Sequence, residues 1–177
     1  MDERKNRQSW LDAGLRVLAA EGHEALRIMP IAEKLGVTKG SFYWHFKNLD
    51  EFHSALLEEW EKCHTQSVIE AVEEAGGEAL QKLHRLAMKS VEANFKLGRA
   101  MRSWSLTHPG ARGVVARVDK KRVDYLTNLL RETGRSKSEA EALGRWFYCM
   151  VIGYAILQGP KATPAQVSIL VDTLAGT

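Results

Sequence analysis

The sequence predicts an all-α protein, and three observations carry that prediction. Apolar residues recur every three to four positions along most of the chain, the period of one buried helix face. The alternation of apolar and polar residues that marks a half-buried strand is missing from the sequence, as are repeats and low-complexity tracts. Two segments open with Ser or Thr followed three positions later by Glu or Gln, Ser136 with Glu139 and Thr163 with Gln166. At that spacing the two residues satisfy each other's backbone donors at a helix start. The expected architecture is about eight or nine helices, with a three-helix head over residues 1–49 and a helical body over residues 50–177.

Residues 3–21 read as an amphipathic first helix, with Trp10, Leu11, Leu15 and Leu18 on its apolar side, small Gly14 among them and Gly22 as its stop. Ile28, Ile31, Ala32 and Leu35 form a second, short apolar face ending at Gly36. Pro30 fits only in the first turn of that helix, where no backbone donor is lost. Thr38 can cap a third helix of about seven residues, with Phe42 and Phe46 on its inner side. Asn48 or Asp50 can open a long helix to about Ala75 that turns Phe52, Leu56, Leu57 and Trp60 toward the core, until Gly76 and Gly77 interrupt it. Leu80, Leu83, Leu86, Ala87, Val91 and Phe95 mark a helix over about 78–97, broken at Gly98. His108-Pro109-Gly110 reads as a turn, and Val114, Val118, Tyr125, Leu126, Leu129 and Leu130 as a long helix closed by Gly134 in the left-handed conformation. The two capped starts then bracket a helix whose stretch from Trp146 to Leu157 is apolar all the way round, so that one face meets its own core and the other needs a partner.

With 177 residues, 45% of them hydrophobic and 27% charged, the chain has the composition of an ordinary soluble protein. Its two cysteines, Cys63 and Cys149, have neither C-x-x-C spacing nor the companions of a disulfide scaffold, which fits a reducing compartment. The first residues, M-D-E-R-K-N-R-Q, carry no apolar run of the signal-peptide kind. The 12 residues from Trp146 to Leu157 are too few to span a bilayer. A cytoplasmic protein with no membrane partner is expected. Net charge is only +3, but residues 48–80 hold nine acidic side chains and one basic, whereas 82–122 hold eleven basic and two acidic. The first explanation is mutual attraction between neighbouring helical segments; the second is a basic mouth for an anionic ligand.

The stretch Ile31 to Asn48, I-A-E-K-L-G-V-T-K-G-S-F-Y-W-H-F-K-N, is a short helix, a tight Gly-containing turn and a second short helix. In that arrangement one helix can brace across a duplex backbone while the next enters the major groove. Ile31, Leu35, Val37, Phe42 and Phe46 can pack the two together. Thr38, Lys39, Ser41, Tyr43, Trp44, His45 and Lys47 are left outside, a set rich in hydroxyl, cationic and aromatic groups that hydrogen-bond phosphates and base edges. Adjacent aromatics on so short a helix cannot all face inward, because successive positions turn by about 100°. The cluster Arg4, Lys5 and Arg7 reads equally as a solvated tail or as an arm reaching DNA.

On the Gly36-Val37-Thr38-Lys39-Gly40 turn and the Tyr43-Trp44-His45-Phe46-Lys47 run, residues 4 to about 56 resemble the tetracycline-repressor family of bacterial regulators. The resemblance implies a helix-turn-helix DNA-binding head, a ligand-binding and dimerising body, double-stranded DNA, a homodimeric partner and a small-molecule effector as binding partners, repression as the default, and no cofactor. It implies that Lys39 and Gly40 lie at the start of the recognition helix, Gly40 allowing close approach to DNA. Thr38 and Ser41 would touch phosphate or base edges, Tyr43 and His45 backbone phosphates, Trp44 the groove wall, and Lys47 would add a charge contact. Weaker echoes of such regulators' bodies are Arg102-Ser103-Trp104-Ser105 and Arg122 to Leu126. Two positions depart from the family pattern: Leu49 stands where members often carry a phosphate-contacting Lys, and Arg27 replaces the usual capping Ser or Thr before the second helix.

Reading sites on a palindrome requires two heads. The all-apolar helix and the one after it supply candidate dimer-interface residues, Phe147, Val151, Tyr154, Val167, Leu170 and Leu174. For the effector, Trp60, His64, Met88, Phe95, Trp104, Arg122, Tyr125 and Trp146 are large, polarizable or charged side chains that could line a cavity, and the basic surroundings of Arg122 point to an anionic effector. The sequence points away from an enzyme, since no Gly-rich phosphate loop, serine elbow or paired catalytic cysteine appears. The alternative is a helical metal-binding sensor or enzyme built on the Glu-x-x-His pair Glu61 and His64, with Asp50 and His53 repeating the spacing. Such a centre needs pairs on two helices, and no metal is expected.

Overall fold

The computed structural model describes residues 6–93, 95–157 and 162–176, so Arg4 and Lys5 lie outside the described residues. Ten α-helices lie among those described: α1 Arg7–Glu21, α2 Ile28–Leu35, α3 Lys39–Tyr43, α4 Leu49–Glu61, α5 Ser67–Glu74, α6 Ala79–Glu92, α7 Lys96–Thr107, α8 Pro109–Glu132, α9 Lys137–Leu157 and α10 Pro164–Ala175. No strand occurs among them. By internal contacts the chain divides into two units, Met1–His64 with Phe95–Ala116 and Thr65–Asn94 with Arg117–Thr177.

In the first unit α1 packs on α2, α4 and α7. Asn6 caps α1, its side chain accepting from the Ser9 amide at 2.8 Å, and Gly22 ends it at φ 83°. Gly14 is what lets α1 and α4 meet: a Cβ there would lie 2.7 Å from Cζ of Phe52 and 2.8 Å from Cδ2 of Leu56. Phe52 and Leu56 are fully buried, and the Phe52 ring meets Phe46 at 5.0 Å and Phe42 at 5.6 Å. These contacts place α4 in the same unit as α1 to α3, whereas the sequence-based division between residues 49 and 50 assigned it to the body.

The second unit gathers Leu83, Ala87, Leu126, Leu130, Phe147 and Val171 in one core with Ala79, Leu129, Ala140, Tyr148 and Val167. α6 packs on α5 and α10. Gly144 lets α9 approach α8, since a Cβ there would lie 2.8 Å from the Thr127 hydroxyl and 3.1 Å from its backbone nitrogen. Both expected capping boxes form. The Ser136 amide donates to Glu139 at 3.0 Å and the Glu139 amide to Ser136 at 3.3 Å; the Thr163 and Gln166 pair does the same at 2.8 and 3.3 Å.

Two elements differ from expectation. The long helix after Asn48 is not continuous: a π-helical turn, Lys62–Gln66, separates α4 from α5, an insertion that side-chain periodicity does not announce. Gly98 does not interrupt the helical pattern but sits inside α7, a further helix between α6 and α8. A single glycine costs a helix only about 1 kcal/mol, too little to end one supported by the buried residues Met101 and Trp104.

Candidate nucleic-acid interface

α2 ends where Gly36 turns left-handed (φ 68°, ψ 33°) and the Val37 amide reaches back to the Ala32 carbonyl at 3.0 Å, the αL cap that reverses the chain within two residues. α3 is then anchored from below. Phe42 and Phe46 are 0% and 1% exposed, their rings 5.2 Å apart, and Trp10 of α1 meets Phe42 edge-on at 5.3 Å. The regular helix is shorter than the expected seven residues. It spans Lys39–Tyr43, after which the His45 and Phe46 amides both donate to the Phe42 carbonyl at 2.9 and 3.0 Å. Trp44 and His45 therefore stand on a closing turn, and Lys47 lies beyond it.

This anchoring leaves the opposite side outward. Thr38, Lys39, Gly40, Tyr43, Trp44 and Lys47 are exposed, Trp44 by 87%, while Ser41 and His45 are half-buried. Thr38 occupies the cap position, but its side chain does not cap; its carbonyl accepts from the Ser41 amide at 3.0 Å. A Cβ at Gly40 would meet nothing nearer than the Thr38 hydroxyl at 3.6 Å, so the fold itself leaves room for a side chain there. Asn48 caps α4 by accepting from the Glu51 amide at 2.8 Å, and Glu51 reaches back to the Lys47 amide at 2.8 Å. That reciprocal pair fixes the chain as it leaves the run from Thr38 to Lys47. Leu49 begins α4 half-buried, and Arg27 precedes α2 in extended conformation without a side-chain cap. Pro30 is the third residue of α2.

The head matches the sequence profile of "Bacterial regulatory proteins, tetR family" over residues 11–56. Over these residues the head is similar to the tetR family. The HTH-type transcriptional regulator AcrR of Shigella flexneri is 35% identical over 57 residues, which are 32% of this chain and 26% of that protein. The match thus spans about a quarter of the relative's length. Solved structures extend the likeness of fold beyond the head: one is a TetR transcriptional regulator from Legionella pneumophila (TM-score 0.79, 14% identity, 98% of each chain). A second is a transcriptional regulator from Saccharomonospora viridis in complex with choline (TM-score 0.76, 17% identity, 96% of this chain and 93% of that one).

The expected effector residues divide between the two units. Trp60, His64, Phe95 and Trp104 belong to the first, Met88, Arg122, Tyr125 and Trp146 to the second. Trp60 and Trp104 are core, 3% and 2% exposed; Trp104 lies 5.2 Å from the His53 ring and 5.1 Å from that of His108. His64 is exposed on the π-helical turn, and Trp146 is 72% exposed, so neither faces an interior. Met88 and Phe95 are half-buried. Tyr125 donates its hydroxyl to Glu73 at 2.6 Å; partial burial and then that bond push its pKa up, while Lys82 and Tyr125 hold the Glu73 carboxyl below its usual range. Lys82 also pairs with Glu73, one case of the attraction between acidic and basic segments that the charge pattern predicts.

Arg122 is the expected residue that does meet an interior polar group. Its Nε donates to Thr65 Oγ1 at 3.1 Å and its Nη1 to the Tyr148 hydroxyl at 3.4 Å, and Tyr148 donates to Asp119 at 2.7 Å. Thr65 is 2% exposed. Thr65, Asp119 and Tyr148 carry no motif that sequence reading could have used; the π-helical turn, which sets where Thr65 points, is what brings them to Arg122. A small apolar cavity of about 10 Å³ is lined by Leu83, Leu126, Leu130, Phe147, Val171 and Leu174, far below the roughly 300 Å³ at which ligand pockets begin.

The expected dimer residues also divide. Phe147 and Val167 are 6% and 4% exposed and pack within the core of their own unit. Val151, Leu170 and Leu174 are half-buried against that core, and Tyr154 is half-buried. The outward apolar side chains are instead Trp146, Met150, Ile156 and Leu157 of α9 and Ile169 of α10, between 43% and 81% exposed. Of the alternative metal pair, Glu61 ends α4 half-buried and His64 sits on the π-helical turn. Among the described residues no group of three or more His, Cys, Asp or Glu is placed to hold a metal ion, and no helix is long and apolar enough to cross a membrane.

Proposed function

We propose that this chain is a cytoplasmic transcriptional regulator that acts as a repressor, binds a palindromic operator as a homodimer and is released by a small-molecule effector. One observation carries the reading. The run from Thr38 to Lys47 is clamped by Phe42 and Phe46 while Thr38, Lys39, Tyr43, Trp44 and Lys47 stand exposed and Ser41 and His45 half-exposed beside them, the arrangement that positions a helix for the major groove. Lys39 and Tyr43 bind base edge and phosphate, with Thr38, Gly40, Ser41, Trp44, His45 and Lys47 completing the surface. The two-fold partner covers Trp146, Met150, Ile156, Leu157 and Ile169, an exposed apolar stripe of the kind that marks an interface. The effector engages the second unit at Arg122, and its guanidinium favours an anionic group there. Choline, the ligand of the Saccharomonospora viridis regulator, has the opposite charge.

Selection of bound duplexes from a random DNA pool tests this. The expected outcome is a palindromic site with steeply salt-dependent binding. Tyr43→Ala should weaken all sequences alike, Lys39→Ala should also relax base preference, and carboxylate-bearing compounds should release the selected duplex where quaternary amines do not. Recovery of no enriched site, or of one indifferent to both substitutions, would count against the proposal; release by cations alone would reverse the effector's charge.

A further inference from the structure

We propose that Arg7 is a phosphate-binding residue of the same surface, seated on the ring of Phe46; this rests on the DNA-binding reading above. Arg7 is the exposed first residue of α1. The first turn around it is tied down: Asn6 accepts from the amide and hydroxyl of Ser9 at 2.8 and 3.0 Å, and Gln8 donates to Asp12 at 3.0 Å and to Glu59 at 2.9 Å. Asp12 and Glu59 accept from Gln8, and among the described residues no carboxylate pairs with Arg7. Its guanidinium carbon instead lies 5.1 Å from the centre of the Phe46 ring.

That ring is 1% exposed and packs against Phe42 and Phe52 on its inner side. Phe46 stands between His45 and Lys47 in the chain, so this ring joins Arg7 to the end of the outward run. A guanidinium stacked on a ring keeps its N–H donors, which lie in its own plane, available for two oxygens of a phosphate. Stacking also fixes the long side chain before DNA arrives, which lowers the ordering cost of binding. A purely structural role, a lid that shields Phe46, predicts a different response to salt.

The test measures affinity by fluorescence anisotropy for the duplex that the protein selects from a random pool and for a random-sequence duplex of equal length, from about 50 to 300 mM KCl. Arg7→Ala is expected to lose about tenfold on both duplexes and to flatten the plot of log affinity against log salt by about 0.9 per bound head. Arg7→Lys restores the slope, because the charge returns. An unchanged slope in folded Arg7→Ala, even with a lower melting temperature, overturns the proposal and leaves the lid. A loss confined to the selected duplex also overturns it, since a phosphate contact is blind to sequence. Wild-type protein that binds neither duplex removes the DNA-binding reading itself.

Discussion

At the scale of single residues, two glycines separate packing from propensity. Gly14 lies where a methyl group would press on Phe52 and Leu56, both fully buried and therefore unable to yield into solvent. Gly98 also lies inside a helix, but a Cβ there would meet nothing within 4 Å. Alanine gains up to about 1 kcal/mol over glycine in a helix at either site; overpacking a dense core costs about 1–3 kcal/mol, so the signs should differ. Gly14→Ala is expected to lower the urea midpoint and Gly98→Ala to raise it, with the denaturant slope unchanged in both. A stabilising Gly14→Ala would mean that α1 and α4 are less closely packed than these distances state. The sequence shows both glycines and distinguishes neither, because the neighbour that makes Gly14 necessary stands 38 residues away and the periodicity of α1 does not name it.

At the scale of elements, the turn between α7 and α8 is held on the head by aromatic and imidazole contacts that answer to pH. The His53 ring meets Trp104 and, at 6.1 Å, His108, and its Nε2 lies 3.2 Å from the Leu26 carbonyl. His108 accepts the Ala111 amide on Nδ1 at 3.1 Å, capping α8. Burial lowers the His53 pKa more than the Leu26 carbonyl and Asp50 raise it, with His108 and His23 opposing its charge as well. With the folded value below the unfolded one near 6.5, the unfolded chain binds more protons beneath that pH, so stability should fall as pH drops below about 6.5. His53→Gln should flatten that part of the melting profile; an equal slope in the variant would assign the effect elsewhere. Local chemistry made other boundaries legible in advance: the left-handed stop at Gly36, the caps at Asn48, Ser136 and Thr163, and the outward run from Thr38 to Lys47 all follow from residues within one turn of each other. What escaped is set by distant neighbours. The π-helical turn that buries Thr65 beside Arg122, the helix that continues through Gly98, and the early end of α3 at Tyr43 depend on tertiary packing that overrides period and propensity.

At the scale of the whole molecule, the head is recognisable and the body is not, because the head carries a compact motif of turn and outward residues within one short run while a helical core accepts many apolar residues of suitable volume. The same freedom explains why the expected dimer residues Phe147 and Val167 lie in the core of the second unit. A helix apolar all round offers two faces of similar composition, and only the small residues Ala140 and Gly144, lying against the core with Gly144 on Thr127, decide which one turns inward. Phe147 and Tyr148 follow them in, and Trp146 and Met150 are left out. This assignment separates two effects that a dimer of this chain would otherwise confuse. Trp146→Glu places a charge on an exposed position, so the monomer should keep its helicity and melting behaviour. Removing a large aromatic anchor from an interface typically costs 2 kcal/mol or more, at least about thirtyfold in dimer dissociation, and affinity for a palindrome should fall far more than affinity for a single half-site. Phe147→Ala should do the reverse: it empties a buried site at a cost of about 3–5 kcal/mol, lowering thermal stability while the surviving folded protein still pairs. Sedimentation velocity at micromolar concentration beside thermal denaturation reads both quantities. If Trp146→Glu remained dimeric and Phe147→Ala became monomeric without losing stability, α9 would have to present its other face outward in solution.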